Sequence, residues 1–225
     1  MSIPPAHHVG CGAALNLTWF REHSELRVSH AALNGTALRS VGSKSVDRYC
    51  LNPFLSREQI ASIVKDLADR ISNDYRERQL VLVCILKGAF MFLSDLARSL
   101  QMPVQIDFIR LSSYGKGMET SRVIEIAKDI ETPIEGKDVL IVEDIVDSGR
   151  TLQFLKDRLA LANPHSVKIC ALLDKKARRE VEIDADYVGK EIENVFVVGY
   201  GIDFNETYRN LPEIYYLTKT NHAKE

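Results

Sequence analysis

Cysteine is scarce in this chain of 225 residues, which carries four, at positions 11, 50, 84 and 170. No two of them stand at the spacing of a zinc knuckle or a redox pair, so the chain offers neither a thiolate metal site nor a disulfide framework. Cys84 and Cys170 lie inside apolar runs and are expected to be small core residues of a protein in a reducing, cytoplasmic compartment. Long hydrophobic segments are missing too. The longest, Leu80 to Leu86, falls far short of the roughly 20 residues that a bilayer-spanning helix needs, so no membrane partner is expected. A surplus of charge is also absent: Lys and Arg number 29 against 31 Asp and Glu, a formal net charge of -2. That balance gives no basic field for nucleic acid or an anionic surface. Internal repeats are lacking as well, which excludes solenoids and propellers. What is present is a 45% hydrophobic content, enough to bury one sizeable core in one domain or two small ones.

The first 52 residues differ from the rest. They hold four of the six histidines and the only tryptophan, with three acids against five Lys or Arg, and no sustained periodicity of either kind. Residues 1–52 are therefore read as an extension outside a domain spanning 53–225. The extension has no apolar stretch of a secretory signal, so the sequons at Asn16 and Asn34 are expected to be idle and His7 and His8 to be solvated. Its poverty in acids loosely suits an organelle transit peptide, and a disordered tail or a misplaced start fits it equally well.

Beyond that point the pattern is regular. Ser56 and Gln59 form a capping box ahead of Ile60, Ile63, Val64, Leu67, Ala68 and Ile71, one apolar helical face. Leu80 to Leu86 reads as a buried strand, followed after Gly88 by a helix carrying Phe90, Leu93, Leu96, Ala97 and Leu100. Val104, Ile106 and Phe108 alternate as a strand, and further strands are expected near 123–127, 139–142, 167–173, 195–198 and 214–217. Strands alternating with helices predict an α/β fold with a mainly parallel twisted sheet flanked by helices.

The densest chemistry lies between Val139 and Leu152. An apolar run, Val139 to Val142, is followed by Glu143-Asp144, then Asp147-Ser148-Gly149-Arg150-Thr151, then Leu152, Leu155 and Leu159 at helical spacing. The turn therefore sits at the carboxyl end of a strand and the amino end of a helix, where α/β sheets bind ligands. Free N–H groups of the first helical turn favour a phosphate there, with Ser148 and Thr151 adding hydroxyl donors. Glu143 and Asp144 can accept from vicinal ribose hydroxyls or hold a divalent cation. Ordinary solvated loop charges are the bland alternative.

The stretch from Val139 to Leu152 resembles the phosphoribosyl pyrophosphate motif of type I phosphoribosyltransferases. Leu86-Lys87-Gly88 and Val197-Val198-Gly199-Tyr200-Gly201-Ile202-Asp203-Phe204-Asn205-Glu206 resemble the 6-oxopurine branch of that family. The resemblance covers about Leu55 to Leu217 and implies the type I fold with a small hood region. It implies that Lys87 and Gly88 form a pyrophosphate loop whose peptide is cis, and that Arg209 helps hold the same group. Ser113 and Tyr114 would belong to a lid, Ser113 to Gly117, closing over the reacting groups to exclude water. Lys175 would donate to O6 of the purine, Phe196 would stack on its ring and Val197 would bond it through the backbone. Asp203, at the end of the same base-binding stretch, would hold magnesium. Structural alternatives stand beside these: Phe196 as a core residue, Lys87 as a surface lysine, the lid as a plain loop. Lys176, Arg178 and Arg179 read as a solvated basic face.

The implied reaction is magnesium-dependent transfer of the 5-phosphoribosyl group from phosphoribosyl pyrophosphate to N9 of hypoxanthine, with guanine second. Asp147 would be the proton acceptor at N7. Glu143, Asp144 and Asp203 are the expected metal ligands, and a homo-oligomer, dimer or tetramer, is expected. Two other classes stay open: a regulator that keeps the donor pocket, and a binding homologue without catalysis. The chain has no recognisable DNA-binding helix pair, and it keeps Asp147.

Overall fold

The computed structural model describes residues 49–114 and 123–219. The extension therefore lies outside the described residues up to 48, as do Gly115 to Gly117 of the expected lid. Nine strands and three helices alternate in the order β1 (Tyr49–Leu55), α1 (Arg57–Asp74), β2 (Leu80–Leu86), α2 (Phe90–Ser99), β3 (Gln105–Tyr114), β4 (Val123–Lys128), β5 (Asp138–Val146), α3 (Arg150–Ala160), β6 (Ser166–Asp174), β7 (Tyr187–Glu191), β8 (Val197–Val198) and β9 (Ile214–Lys219).

Six strands form one sheet in the order β4-β3-β2-β5-β6-β7. All neighbours in it are parallel except β4, which runs antiparallel to β3 at the edge. The unbroken apolar runs of β2 and β5 follow from burial on both faces. Leu80, Leu82, Cys84, Leu140, Val142, Cys170 and Leu172 point into one core with α1 and α2. Val81, Val83, Val139, Ile141, Ile169 and Ala171 point into the other, with Leu152, Leu155 and Leu159 of α3. Cys84 and Cys170 are fully buried free thiols, as their apolar neighbours imply. The capping box forms as read: Gln59 N donates to Ser56 Oγ and Ser56 N to Gln59 Oε1. A second, antiparallel sheet, β1-β9-β8, corresponds to the hood.

Three differences from the sequence pattern have physical reasons. β1 starts at Tyr49, crossing the expected boundary at 52 and preceding the helix that was read as the domain's opening. Its Asn52-Pro53 disguises a strand, and it is tolerated because β1 pairs only with β9 and breaks register at Pro53. β7 was not read at all, because only Tyr187 and Val188 precede Gly189, Lys190 and Glu191; a Cβ at Gly189 would lie 2.6 Å from Leu172 O, so the glycine serves close packing. In α2 the buried aromatic is Phe92, while Phe90 faces outward.

β3 also carries a buried carboxylate, Asp107, beside the expected alternation. Burial pushes its pKa up, but the amides of Thr132, Phe108 and Glu131 together outweigh that and hold it at about 2. Asp107 thereby fixes the chain leaving β4.

Candidate active site

β2 leads through α2 to β3 on one side, whereas β5 leads through α3 to β6 on the other. The carboxyl ends of β2 and β5 therefore flank the point where strand order reverses, the crevice in which open α/β sheets bind ligands.

The β2 loop supplies one wall. The Leu86–Lys87 peptide is cis, as the resemblance implies. A Cβ at Gly88 would lie 1.9 Å from Asp144 Oδ2, and one at Gly201 would lie 2.1 Å from Gly88 O. The loop after β2, the end of β5 and the chain after β8 are thus in van der Waals contact at glycines. Around them stand Lys87, Asp203, Glu206 and Arg209. Arg209 pairs with Asp203 at 2.7 Å and donates to Gly201 O at 2.9 Å, while Lys87 pairs with Glu206 at 2.7 Å. Asp144 is buried, and burial pushes its carboxyl up to about 6 against the pull of the Ile145 amide and Arg209. Burial, with Asp144 alongside, drives Glu143 well above the usual carboxylate range. Two acids at the end of β5 therefore share a place where charge is costly unless a cation or hydroxyl donors join them.

The β5–α3 turn supplies the other wall. Gly149, the N-cap of α3, has φ +80 and supplies no side-chain cap. The N–H groups of this turn that lack a partner within the helix suit a phosphate. Gly149 is needed for packing as well as conformation, because a Cβ would lie 2.5 Å from Ile183 Cγ2. Ser148 Oγ accepts weakly from Arg150 N at 3.4 Å, Arg150 pairs with Glu180 at 2.6 Å, and Glu180 N donates to Ser148 O at 2.9 Å. Thr151 lies in the first turn of α3.

Between the walls comes Lys175, just past β6, whose amide donates to Val146 O at 2.9 Å. It is only 8% exposed. Burial lowers its pKa, while the charges of Asp147 and Asp144 act against that. Its ammonium makes no hydrogen bond or ion pair with a described residue. Phe196 is 50% exposed, not a core residue, and its ring meets Phe204 edge-on at 5.5 Å, which in turn meets Tyr49 at 4.9 Å. Leu217 N donates to Phe196 O, so at Val197, paired with Tyr216, the strand alternation turns the backbone N–H and C=O away from β9. Ser113 and Tyr114 end β3, opposite Ile124 and Val123 of β4, so they are strand residues and not part of an irregular loop.

The reading of Lys176, Arg178 and Arg179 as one solvated face holds for the exposed Lys176, which pairs with Glu191, and for the exposed Arg178, but not for Arg179. Arg178 lies 3.1 Å from Asp147. Arg179 is mostly buried, pairs with the buried Asp174 and donates to Asp147 O at 2.8 Å. Nothing in the local pattern marks these two, since their partners are 31 and 32 residues upstream of them in the chain for Asp147 and visible only once the turn folds back on the segment after β6. Glu206 and Gly201 were likewise part of a quoted motif without roles of their own.

Comparison with known proteins agrees with this geometry. The model of the phosphoribosyl transferase domain matches residues 54–205. The chain is 48% identical to the hypoxanthine-guanine phosphoribosyltransferase of Aquifex aeolicus over 166 residues, covering 73% of this chain and 93% of that one. It is 44% identical to the hypoxanthine phosphoribosyltransferase of Salmonella typhimurium over 169 residues, 74% of this chain and 95% of that one. The crystal structure of a hypoxanthine phosphoribosyltransferase from Staphylococcus aureus superimposes with a TM-score of 0.71 at 45% identity, covering 74% of this chain and 91% of that one. A six-stranded sheet with a small antiparallel hood, charged residues gathered at its switch point, and this degree of identity lead to one conclusion: the chain belongs to the hypoxanthine(-guanine) phosphoribosyltransferases of the type I phosphoribosyltransferase family, enzymes of purine salvage.

Proposed function

We propose that the crevice transfers the 5-phosphoribosyl group from phosphoribosyl pyrophosphate to N9 of hypoxanthine, and of guanine second, with each wall handling one part of the donor. The 147–151 turn, Ser148, Gly149, Arg150 and Thr151, binds the 5-phosphate. Glu143 and Asp144 hold the ribose hydroxyls. Lys87, the Gly88 amide and Arg209 hold the pyrophosphate. Lys175 donates to the purine O6, Phe196 stacks on the ring and Val197 bonds it through the backbone. Asp147 accepts a proton at N7, which makes N9 the better nucleophile. Ser113 and Tyr114, at the end of β3, start a lid that excludes water from the forming ribosyl cation.

The observation that carries this reading is Lys175: a buried ammonium without a partner, beside two carboxylates, suits a carbonyl acceptor and meets the amino group of adenine with no acceptor. Glu143, Asp144 and Asp203 offer only carboxylate oxygens, and the described residues form no closed group of three ligands. That set fits magnesium, which takes few protein ligands and completes its shell with water and phosphate oxygens. When bound, the ion would neutralise charge on the leaving pyrophosphate. A homo-oligomer and a cytoplasmic location go with the reading, and the free buried thiols support a reducing compartment. The catalytic domain then begins at β1.

Pyrophosphate release from donor plus hypoxanthine, guanine or adenine tests the base assignment; equal use of adenine would overturn it. Asp147→Asn should lower kcat by roughly 100- to 10,000-fold with little change in donor KM. A loss confined to KM would make Asp147 a binding residue only.

A further inference from the structure

Lys87 and Arg209, the two cations read above as holders of pyrophosphate, already face a common anion. Glu206 Oε2 lies 2.7 Å from Lys87 Nζ, and its Oε1 lies 3.5 Å from Arg209 Nη2. Each oxygen of one carboxylate thus addresses a different cation, as two oxygens of a bridging pyrophosphate would. The side chain is brought there by a built turn. Glu206 has φ +61, with Asn205 at +51 and Tyr208 at +73, a left-handed conformation that non-glycine residues rarely adopt. Reciprocal bonds between Phe204 and Thr207, at 3.2 and 3.1 Å, close that turn. Glu206 N donates to Asp203 Oδ2 at 2.9 Å, while Asp203 pairs with Arg209. The contact is nonetheless exchangeable, because Glu206 is 65% and Lys87 48% exposed, and water screens such a pair.

We propose that Glu206 is a placeholder anion that occupies the pyrophosphate cations between turnovers and competes with pyrophosphate for them. The proposal rests on the assignment of Lys87 and Arg209 to pyrophosphate. Its consequence is kinetic. Two cations beside a metal would hold product pyrophosphate tightly, and product release sets many turnover numbers. A carboxylate that returns to the same two cations weakens donor and product alike and speeds the exit of pyrophosphate.

The test uses the full chain and inorganic pyrophosphate with magnesium, measured by calorimetry and as product inhibition against the donor. Glu206→Gln keeps the shape and the backbone bond to Asp203 but removes the competing charge. It should bind pyrophosphate roughly two- to fivefold more tightly, the range set by one exposed ion pair. Lys87→Met should weaken pyrophosphate binding, and adding Glu206→Gln to it should recover less than in the wild-type background. Unchanged or weaker binding by Glu206→Gln, with Lys87→Met impaired, overturns the placeholder role alone. Unchanged binding by Lys87→Met overturns the cation assignment and the placeholder with it. A purely structural Glu206 would lower the melting temperature without tightening pyrophosphate, which also overturns the proposal.

Discussion

The two walls of the crevice manage charge in opposite ways. Beside the β5–α3 turn the central pair is buried and pinned: Asp174 is 1% exposed and paired with Arg179, which also holds Asp147 O, while Arg150 and Glu180 pair at the surface. Beside the β2 loop, Lys87 and Glu206 pair near solvent. Buried pairs resist rearrangement because either partner alone would be stranded in low dielectric, while exposed pairs trade readily for water or another ion. The difference matches the chemistry. In the proposed assignment the 5-phosphate stays on the nucleotide through the reaction and suits a rigid cradle, whereas pyrophosphate must leave.

The contrast is most open to attack at Arg179. Arg179→Met preserves the aliphatic stem but leaves Asp174 buried without its cation. It should destabilise the protein by about 3–5 kcal/mol in denaturant titration. A loss under ~1 kcal/mol would mean that Asp174 finds another partner or water, and that the cradle is not pinned by this pair.

Gly149→Ala probes the same wall with a smaller expected effect. A side chain at φ +80 is strained, and the added Cβ would press on Ile183. The expected cost is about 1–3 kcal/mol, accompanied by a raised donor KM as the turn shifts. An unchanged melting temperature and KM would show that the turn tolerates a residue with a side chain and that its glycine has no structural role.

Much of this contrast was legible in the sequence on the rigid side and little of it on the exchangeable side. Val139 to Thr151 is one continuous segment in which strand, acids, turn and helix start follow in order, so its periodicity and turn chemistry place it directly. β2, α1 with its capping box, and the buried Cys84 and Cys170 were read for the same reason, that local pattern and burial agree. β1 and β7 were missed because edge strands need little apolar alternation. The contacts of Arg178 and Arg179 with Asp147, and of Glu206 with Lys87, escaped because they join positions far apart in sequence: Glu206 meets Lys87 across 119 positions. Pairing between distant charges leaves no periodic trace. Asp144 and the 147–151 turn follow from local turn chemistry, whereas Lys87, Gly88, Lys175, Asp203 and Arg209 are expected at the site through motif resemblance; folding brings Lys87, Gly88, Asp144, Asp203 and Arg209 together on one wall and Lys175 beside Asp147.

The smallest stability effect should come from the exposed wall. Lys87→Met removes the pair with Glu206, but both side chains already face water, so each can be solvated in place of its partner. The cost to folding should stay below ~1 kcal/mol, well under that of Arg179→Met. If Lys87 holds pyrophosphate as proposed, its removal should appear instead in donor KM and in pyrophosphate inhibition, because the ammonium then meets an anion that comes and goes. Denaturant titration beside steady-state kinetics separates the two. A destabilisation comparable with that of Arg179→Met would show that the β2 loop is as rigidly pinned as the phosphate turn, and the division of the crevice into a fixed wall and an exchangeable one would fail.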